Sequence, residues 1–336
     1  MNRVGPNTCP PKVSIGMPVH NGASFIEAAL DSLLAQSFDD FELIVSDNAS
    51  DDETPEICRR YAARDTRVRY VRQSQNIGAV PNFNAVFELS RGTYFKWAAY
   101  DDVCLPTLLE RLVALLDAAP DVAWCHSRSS HMDANGALLA DARALNVSYA
   151  ARAEGSAARR FAAVLMGGEG CLDSYGLIRS AALRRTKLYP SVYGAEKVLV
   201  AELALIGRYA EVDETLFLAR VTGEGSGALA TAEEQQAFID PKAAAGVTRL
   251  RILKAYLDAI VRSAPDRQQA WAARLALLRW LAQASKWHRV METALRGRGV
   301  GGGNVARLER LERTSSPRTG QDDEIQGNEI QGARTS

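Results

Sequence analysis

Residues 94–102 read Tyr94-Phe95-Lys96-Trp97-Ala98-Ala99-Tyr100-Asp101-Asp102, a mostly apolar, strand-like run that ends in two adjacent carboxylates. A chain leaving an open sheet carries the side chains at its strand end into a cleft rather than into the core. Two like charges side by side invite a counter-ion, and Mg²⁺ or Mn²⁺, held by one or two carboxylates plus phosphate oxygens, would satisfy them. A plainer reading stands beside it, because Pro106, Thr107 and Glu110 follow with the spacing of a helix start.

Two other polar clusters follow β-rich runs in the same way. Pro18-Val19-His20-Asn21-Gly22 comes after the first run and Asp47-Asn48-Ala49-Ser50-Asp51-Asp52 after the second. If these runs are parallel neighbours, all three clusters meet on one rim. A flat ring, a hydrogen-bonding acid and a metal-binding acid on one rim suit a nucleoside diphosphate.

The elements that must position them are legible as an alternation of strand and helix patterns, the mark of βαβ units on a mainly parallel sheet. Strands are predicted at Val13–Met17, Phe41–Ser46, Val68–Val71, Tyr94–Ala99 and Val122–His126. Between the first two, Ile26, Ala29, Leu30, Leu33 and Leu34 follow helical spacing behind a Ser24/Glu27 capping box. Further helices are predicted from Thr54, over Asn82–Leu89 and over Leu108–Leu116, the last behind Thr107 and Glu110. Asp133-Ala134-Asn135-Gly136 reads as a tight turn between short strands. Helices follow over Ser156–Met166 and Ala195–Leu205, then an extended Tyr209–Val221, then a largely helical stretch from Glu233 to about Leu295.

The motifs together resemble those of glycosyltransferase family 2 over about residues 12–226. They are Pro18-Val19-His20-Asn21, Asp47-Asn48-Ala49-Ser50, Asn76-Ile77-Gly78, Asn84 with Gly92, Ala99-Tyr100-Asp101-Asp102, and the acid-bearing Glu196-Lys197-Val198-Leu199-Val200-Ala201-Glu202. The resemblance implies the GT-A α/β fold and an inverting transfer from a UDP- or dTDP-sugar donor to a saccharide or lipid-linked hydroxyl. It also implies that Pro18, Val19, His20, Asn21, Asp47, Asn76, Gly78, Asn84 and Arg220 hold the nucleotide, with Asp47 meeting the base imide and Arg220 lying over the diphosphate. Asp101 and Asp102 would serve a divalent cation, and Glu196 would be the base that deprotonates the acceptor. Asp173, Tyr175 and Arg179 fall on the acceptor side.

The chain departs from the family pattern at Ala99, where a carboxylate is usual, at Glu196, where Asp is commoner, and at Thr222, which replaces a histidine. Two other classes therefore stay open. One is a degenerate protein that grips a nucleotide-sugar or glycan without turnover. The other is a sugar nucleotidyltransferase, though Val19-His20-Asn21-Gly22 lacks the basic glycine-rich loop that such an enzyme needs.

Bulk composition narrows the remainder. Forty Lys and Arg balance forty Asp and Glu, so there is no basic field for nucleic acid. Five widely spaced cysteines without C-x-x-C pairs argue against a disulfide framework or zinc site and for the cytoplasm. No stretch approaches a membrane span, and peripheral contact with the inner face of the membrane is an expectation of the resemblance. The expected organisation is a tail over 1–11, a GT-A unit over 12–230 (nucleotide half 12–128, acceptor half 129–230), a helical extension over 231–296, and a disordered tail over 297–336. Gly297–Gly302 matches G-x-G-x-x-G but follows a basic helix rather than a strand, so a dinucleotide site is not expected. Trp271, Leu275, Leu278, Trp280, Leu281 and Trp287, interleaved with Arg274, Arg279, Lys286 and Arg289, fit either a core-packed or an interfacial helix, and packing is the favoured expectation. Composition says nothing of the oligomeric state.

Overall fold

The computed structural model describes residues 9–139, 153–167, 172–222, 232–242 and 248–283. Expectations for the two tails, the Gly167–Gly170 run, the Gly297–Gly302 motif and Trp287 fall wholly or in part outside them.

Seven-residue runs rich in Val, Ile and Leu form β1 (Val13–Val19) and β2 (Phe41–Asp47), every residue of both being buried. Continuous burial of this kind marks strands covered on both faces. They pair in parallel with each other and with β3 (Val68–Arg72) and β4 (Tyr94–Trp97). The crossovers are α1 (Ile26–Leu34), α2 (Thr54–Arg64) and α3 (Ala79–Glu88). Val13, Ile15 and Met17 face a layer holding α1, α2 and α4 (Leu108–Ala118), whereas Phe95 and Trp97 of β4 face the opposite layer.

The whole sheet has the order β3-β2-β1-β4-β7-β6-β8-β5. Its second half is mixed. The short β7 (Leu177–Arg179) runs antiparallel between β4 and β6 (Val122–Met132). Strand β8 (Arg208–Arg220) lies parallel to β6, and β5 (Val103–Cys104) pairs antiparallel with β8. The α/β class with the motif-bearing strands side by side agrees with the sequence. The run at Val122 is not their direct neighbour, because β7 intervenes. The predicted turn forms at Asp133–Gly136, where Gly136 has φ 87° and Met132 bridges Leu138.

Neither predicted capping box forms. Phe25 and Thr107 occupy the N-cap positions of α1 and α4 without a side-chain cap bond. At α4 a tertiary partner supplies the acceptor instead, Leu109 N donating to Gln36 Oε1 at 2.9 Å, whereas at α1 Ile26 N donates to Gly22 O at 3.0 Å in the preceding turn, which Asp52 holds through Ala23 N.

Helices α5 (Ala157–Met166), α6 (Ser180–Leu183) and α7 (Ala195–Ile206) complete the second layer, followed by α8 (Ala232–Ile239), α9 (Thr248–Ser263) and α10 (Arg267–Leu281). Tyr256, Ile260, Ala273 and Leu277 anchor the last two in the same buried cluster as α7. Of the residues expected to pack, Trp280 does so, its ring centroid 5.7 Å from that of Tyr256, whereas Trp271, Leu275 and Leu278 are exposed. Small Ala273 and Ala276 on the other side of the helix make the contact.

Candidate functional site

At the carboxyl ends of the parallel strands, the loop after β1 is fastened to the loop after β2. Asn48 N donates to Val19 O at 2.8 Å, Asn21 N to Ser50 Oγ at 2.9 Å, and Gly22 N to Thr54 Oγ1 at 2.9 Å. Asn21 adopts φ 53°, a left-handed conformation that asparagine tolerates. A Cβ on Gly22 would lie 2.6 Å from Val19 Cγ2 and 2.8 Å from Tyr100 Cδ2, so only glycine lets the acid loop close over this turn. Asn48 extends the chain of contacts by donating to Asn76 Oδ1 at 2.9 Å and accepting from Ile77 N at 2.8 Å.

Asp47 is fully buried beneath this assembly. Its carboxylate accepts Ser50 N at 2.8 Å and the Tyr70 hydroxyl at 2.6 Å, with Arg72 Nε at 3.8 Å. It therefore caps the turn after β2.

The acid pair splits. Asp102 points inward, accepts Arg220 N at 2.9 Å, and is buried. Desolvation, reinforced by the neighbouring Asp101 charge, pushes its carboxyl up to about 7. Asp101 is half-buried and lines the cleft. Arg220 braces both, its Nε donating to Asp101 O at 2.8 Å and its Nη1 to Ala134 O at 2.9 Å. The guanidinium, expected over a diphosphate, is engaged with backbone carbonyls and stacks 5.0 Å from the Phe25 ring centroid.

The cleft itself has a volume of about 470 Å³ and is walled by Pro18, Tyr100, Asp101, Tyr175, Gly194 and Glu196, among others. Gly194, in the left-handed region at φ 79°, starts α7 and turns its first residues toward the cavity. Glu196 keeps access to solvent through the opening, yet surrounding protein desolvates its carboxyl and raises its pKa. Desolvation outweighs two opposing pulls, a backbone N–H bonded to the carboxylate and, smaller still, the Lys197 charge. Tyr175 stands opposite Phe217, with the rings 6.3 Å apart and nearly parallel.

Of the predicted site residues, Pro18, Asp101, Tyr175 and Glu196 are thus gathered around one cavity, and His20, Asn21 and Asn76 are exposed on the loops beside it. Val19 and Gly78 are buried in the rim. Asn84 is engaged elsewhere, its amide donating to Tyr189 O and accepting Tyr189 N, both at 3.0 Å. Arg179, expected on the acceptor side, is drawn away to the end of α4, donating to Leu116 O at 2.6 Å, Ala119 O at 3.0 Å and Val122 O at 2.8 Å. Orphan carbonyls at a helix C-terminus are natural partners for a cation. Asp173 is buried beside the wall formed by Leu172 and Ser174.

Sequence reasoning missed the aromatic wall. Phe83, Tyr100, Tyr189, Tyr193 and Phe238 also line the cleft. A signal was present in Tyr189-Pro190-Ser191-Val192-Tyr193-Gly194, a rigid aromatic turn just before Glu196. Ser174 was missed as well; its hydroxyl is buried at the wall with no hydrogen-bond partner among the described residues.

The donor set decides what cation could sit here. Among the described residues no group of three His, Cys, Asp or Glu side chains is placed to hold one. With Asp102 committed to Arg220, Asp101 is the one carboxylate of the pair left to offer hard oxygens to the cleft. That fits Mg²⁺ or Mn²⁺ arriving with phosphate oxygens, and does not fit a cage built by protein alone.

Comparison with known proteins bears on the same segment. Residues 14–167 match the profile of the family described as Glycosyl transferase family 2. An uncharacterized glycosyltransferase of Rickettsia prowazekii (strain Madrid E) is 35% identical over 111 residues, 33% of this chain and 34% of that protein. The uncharacterized glycosyltransferase EpsJ of Bacillus subtilis (strain 168) is 37% identical over 102 residues, 30% of this chain and 29% of that protein. The matches thus span about a third of these relatives. Among solved structures, S. aureus TarS 1-349 in complex with UDP-GlcNAc aligns with TM-score 0.62 at 18% identity over 84% of this chain and 75% of that one. The mannosyltransferase PcManGT from Pyrobaculum calidifontis, in complex with GDP-Man and Mn²⁺, gives 0.55 at 17% identity over 92% and 77%. These likenesses identify the fold as GT-A.

Proposed function

We propose that this chain, whose residues 14–167 match glycosyltransferase family 2, transfers a sugar from a nucleoside-diphosphate donor to an acceptor hydroxyl with inversion at the anomeric carbon. The observation that carries the reading is the meeting of Asp101 and Glu196, distant in sequence, on the wall of one cleft at the carboxyl ends of the parallel strands. TarS bound to UDP-GlcNAc and PcManGT bound to GDP-Man and Mn²⁺ share the fold and support both a nucleotide-sugar donor and a divalent cation.

The residues divide the work between them. The nucleotide lies along Pro18, with Asn21 and His20 at its edge and Asp47 holding the turn beneath. Asp101 supplies the protein oxygen for Mg²⁺ or Mn²⁺, which neutralises charge on the leaving diphosphate when bound. Glu196, with its raised pKa, takes the proton from the acceptor hydroxyl. The hydroxyl oxygen forms the new bond to the anomeric carbon, and the old carbon–oxygen bond breaks with its electron pair going to the diphosphate. Tyr175, Tyr189 and Tyr193 line the part of the cleft where sugar rings would lie, and the Ser174 hydroxyl at the same wall would offer a hydrogen bond. The likeness in sequence to EpsJ, itself described as a glycosyltransferase, supports transfer of a sugar.

The test is incubation with UDP-, dTDP- and GDP-sugars, Mn²⁺ or Mg²⁺ and candidate glycan acceptors. The reading expects donor turnover that both Asp101→Ala and Glu196→Gln remove. A second reading, donor binding without transfer, is favoured by Ala99, which lines the cleft where a second carboxylate would stand. Metal-dependent nucleotide binding with no turnover in any combination would select it.

A further inference from the structure

Helices α9 and α10 each present two apolar faces. On α10 the buried Ala273, Ala276 and Leu277 face the core, while Trp271, Leu275 and Leu278 are 65%, 54% and 60% exposed. Spacings of four and three residues put the exposed trio on one line of the helix, on the side away from the core. On α9, Tyr256, Ala259 and Ile260 are buried, while Leu250, Leu257 and Val261 are exposed in a second line. Large apolar side chains left outward along one line of a helix mark a surface that meets something other than water.

Charge indicates what that is. The whole chain balances its charges, yet between residues 248 and 283 seven basic residues meet only two acidic ones, and once Arg262 is paired with the buried Glu202 and Lys254 with Asp258, five basic residues remain against Asp266. Helix α10 carries Arg267, Arg274 and Arg279 and no acid. The Arg274 guanidinium lies 5.8 Å from the Trp271 ring centroid. Tryptophan and leucine on one line, with arginines on its flanks, is the composition of a helix that lies in a headgroup boundary. Its net sign selects an acidic surface. Among the described residues no helix is long and apolar enough to cross a membrane, so such an element rests on a bilayer rather than through it.

We propose that the outward face of α10, with α9 beside it, docks on an anionic lipid surface. Trp271, Leu275 and Leu278 enter the headgroup boundary, while Arg267, Arg274 and Arg279 meet lipid phosphates. None of these residues lines the cleft, so the proposal stands apart from the transfer reaction.

The test sediments the full chain with vesicles of phosphatidylcholine alone or mixed with phosphatidylglycerol. Binding is expected only to the mixed vesicles and should weaken as salt is raised. Replacing Trp271, Leu275 and Leu278 together by Ser should lower partitioning by about tenfold or more. Arg274→Gln with Arg279→Gln should abolish the preference for phosphatidylglycerol, and both variants should keep the wild-type melting curve. Absence of binding to mixed vesicles, or binding that the triple Ser variant retains in full, would overturn the proposal. So would a dimer in lipid-free solution that the triple Ser variant dissociates, since a second copy would then cover the face.

Discussion

Arg220 holds Asp102: the strand amide of the one donates to the carboxylate of the other at 2.9 Å across the join between β8 and the loop after β4. This bond commits one acid of the pair to the framework and leaves its neighbour Asp101 facing the cleft.

Because burial raises the Asp102 carboxyl to about 7, the native state prefers it protonated. A group whose folded pKa lies above its unfolded value contributes stability that is fully present below the unfolded pKa and lost as pH rises through the folded one. Wild-type stability should therefore decline between about pH 4 and pH 7 relative to Asp102→Asn, which cannot ionise. Denaturant unfolding of both proteins across that range measures the difference. Parallel curves would show that Asp102 does not titrate there.

Asn84 clamps the Tyr189 backbone with two hydrogen bonds of 3.0 Å, and the Tyr189 ring packs 4.8 Å from Trp97. Asn84→Ala should cost about 2 kcal/mol, one for each lost bond. It should also raise the KM for the donor as the aromatic wall loosens. A variant with wild-type stability and KM would contradict the clamp.

Arg179 closes the end of α4 rather than the acceptor side of the cleft. Arg179→Met should lower stability by about 2 kcal/mol through loss of charged hydrogen bonds to carbonyls, with acceptor KM unchanged. A selective rise in acceptor KM would return the residue to the site.

The rise in the Glu196 pKa also predicts a pH profile. The base must be ionised to accept a proton, so kcat should fall as pH drops, with its midpoint above the ordinary glutamate value of about 4.3. Glu196→Asp draws the oxygen back by about a bond length and should lower kcat by ~10²-fold.

What the sequence made legible was whatever depends on local pattern. The four parallel strands, their crossover helices, the Asp133–Gly136 turn and the helix under Glu196 follow from periodicity and turn chemistry, and Asp101 and Glu196 both reached the cleft. What stayed hidden depends on long-range geometry. The direction of the Asp102 side chain is set by Arg220, more than a hundred residues away, and that of Arg179 by carbonyls of a helix that precedes it by some sixty. Short β7 carries too few residues to announce its place between β4 and β6. For α10 the pattern left a packed and an interfacial helix both open, and the choice depends on the small side chains of Ala273 and Ala276, which make the core contact and leave Trp271 and Leu275 outward.

Glu196→Gln tests the central claim most directly, because it keeps the shape of the side chain and removes its basicity. Metal-dependent binding of the nucleotide-sugar should stay near wild type by calorimetry, while transfer to acceptor falls by about 10²- to 10⁴-fold. Transfer at the wild-type rate in this variant would contradict the assignment of the cleft as the place where the acceptor gives up its proton.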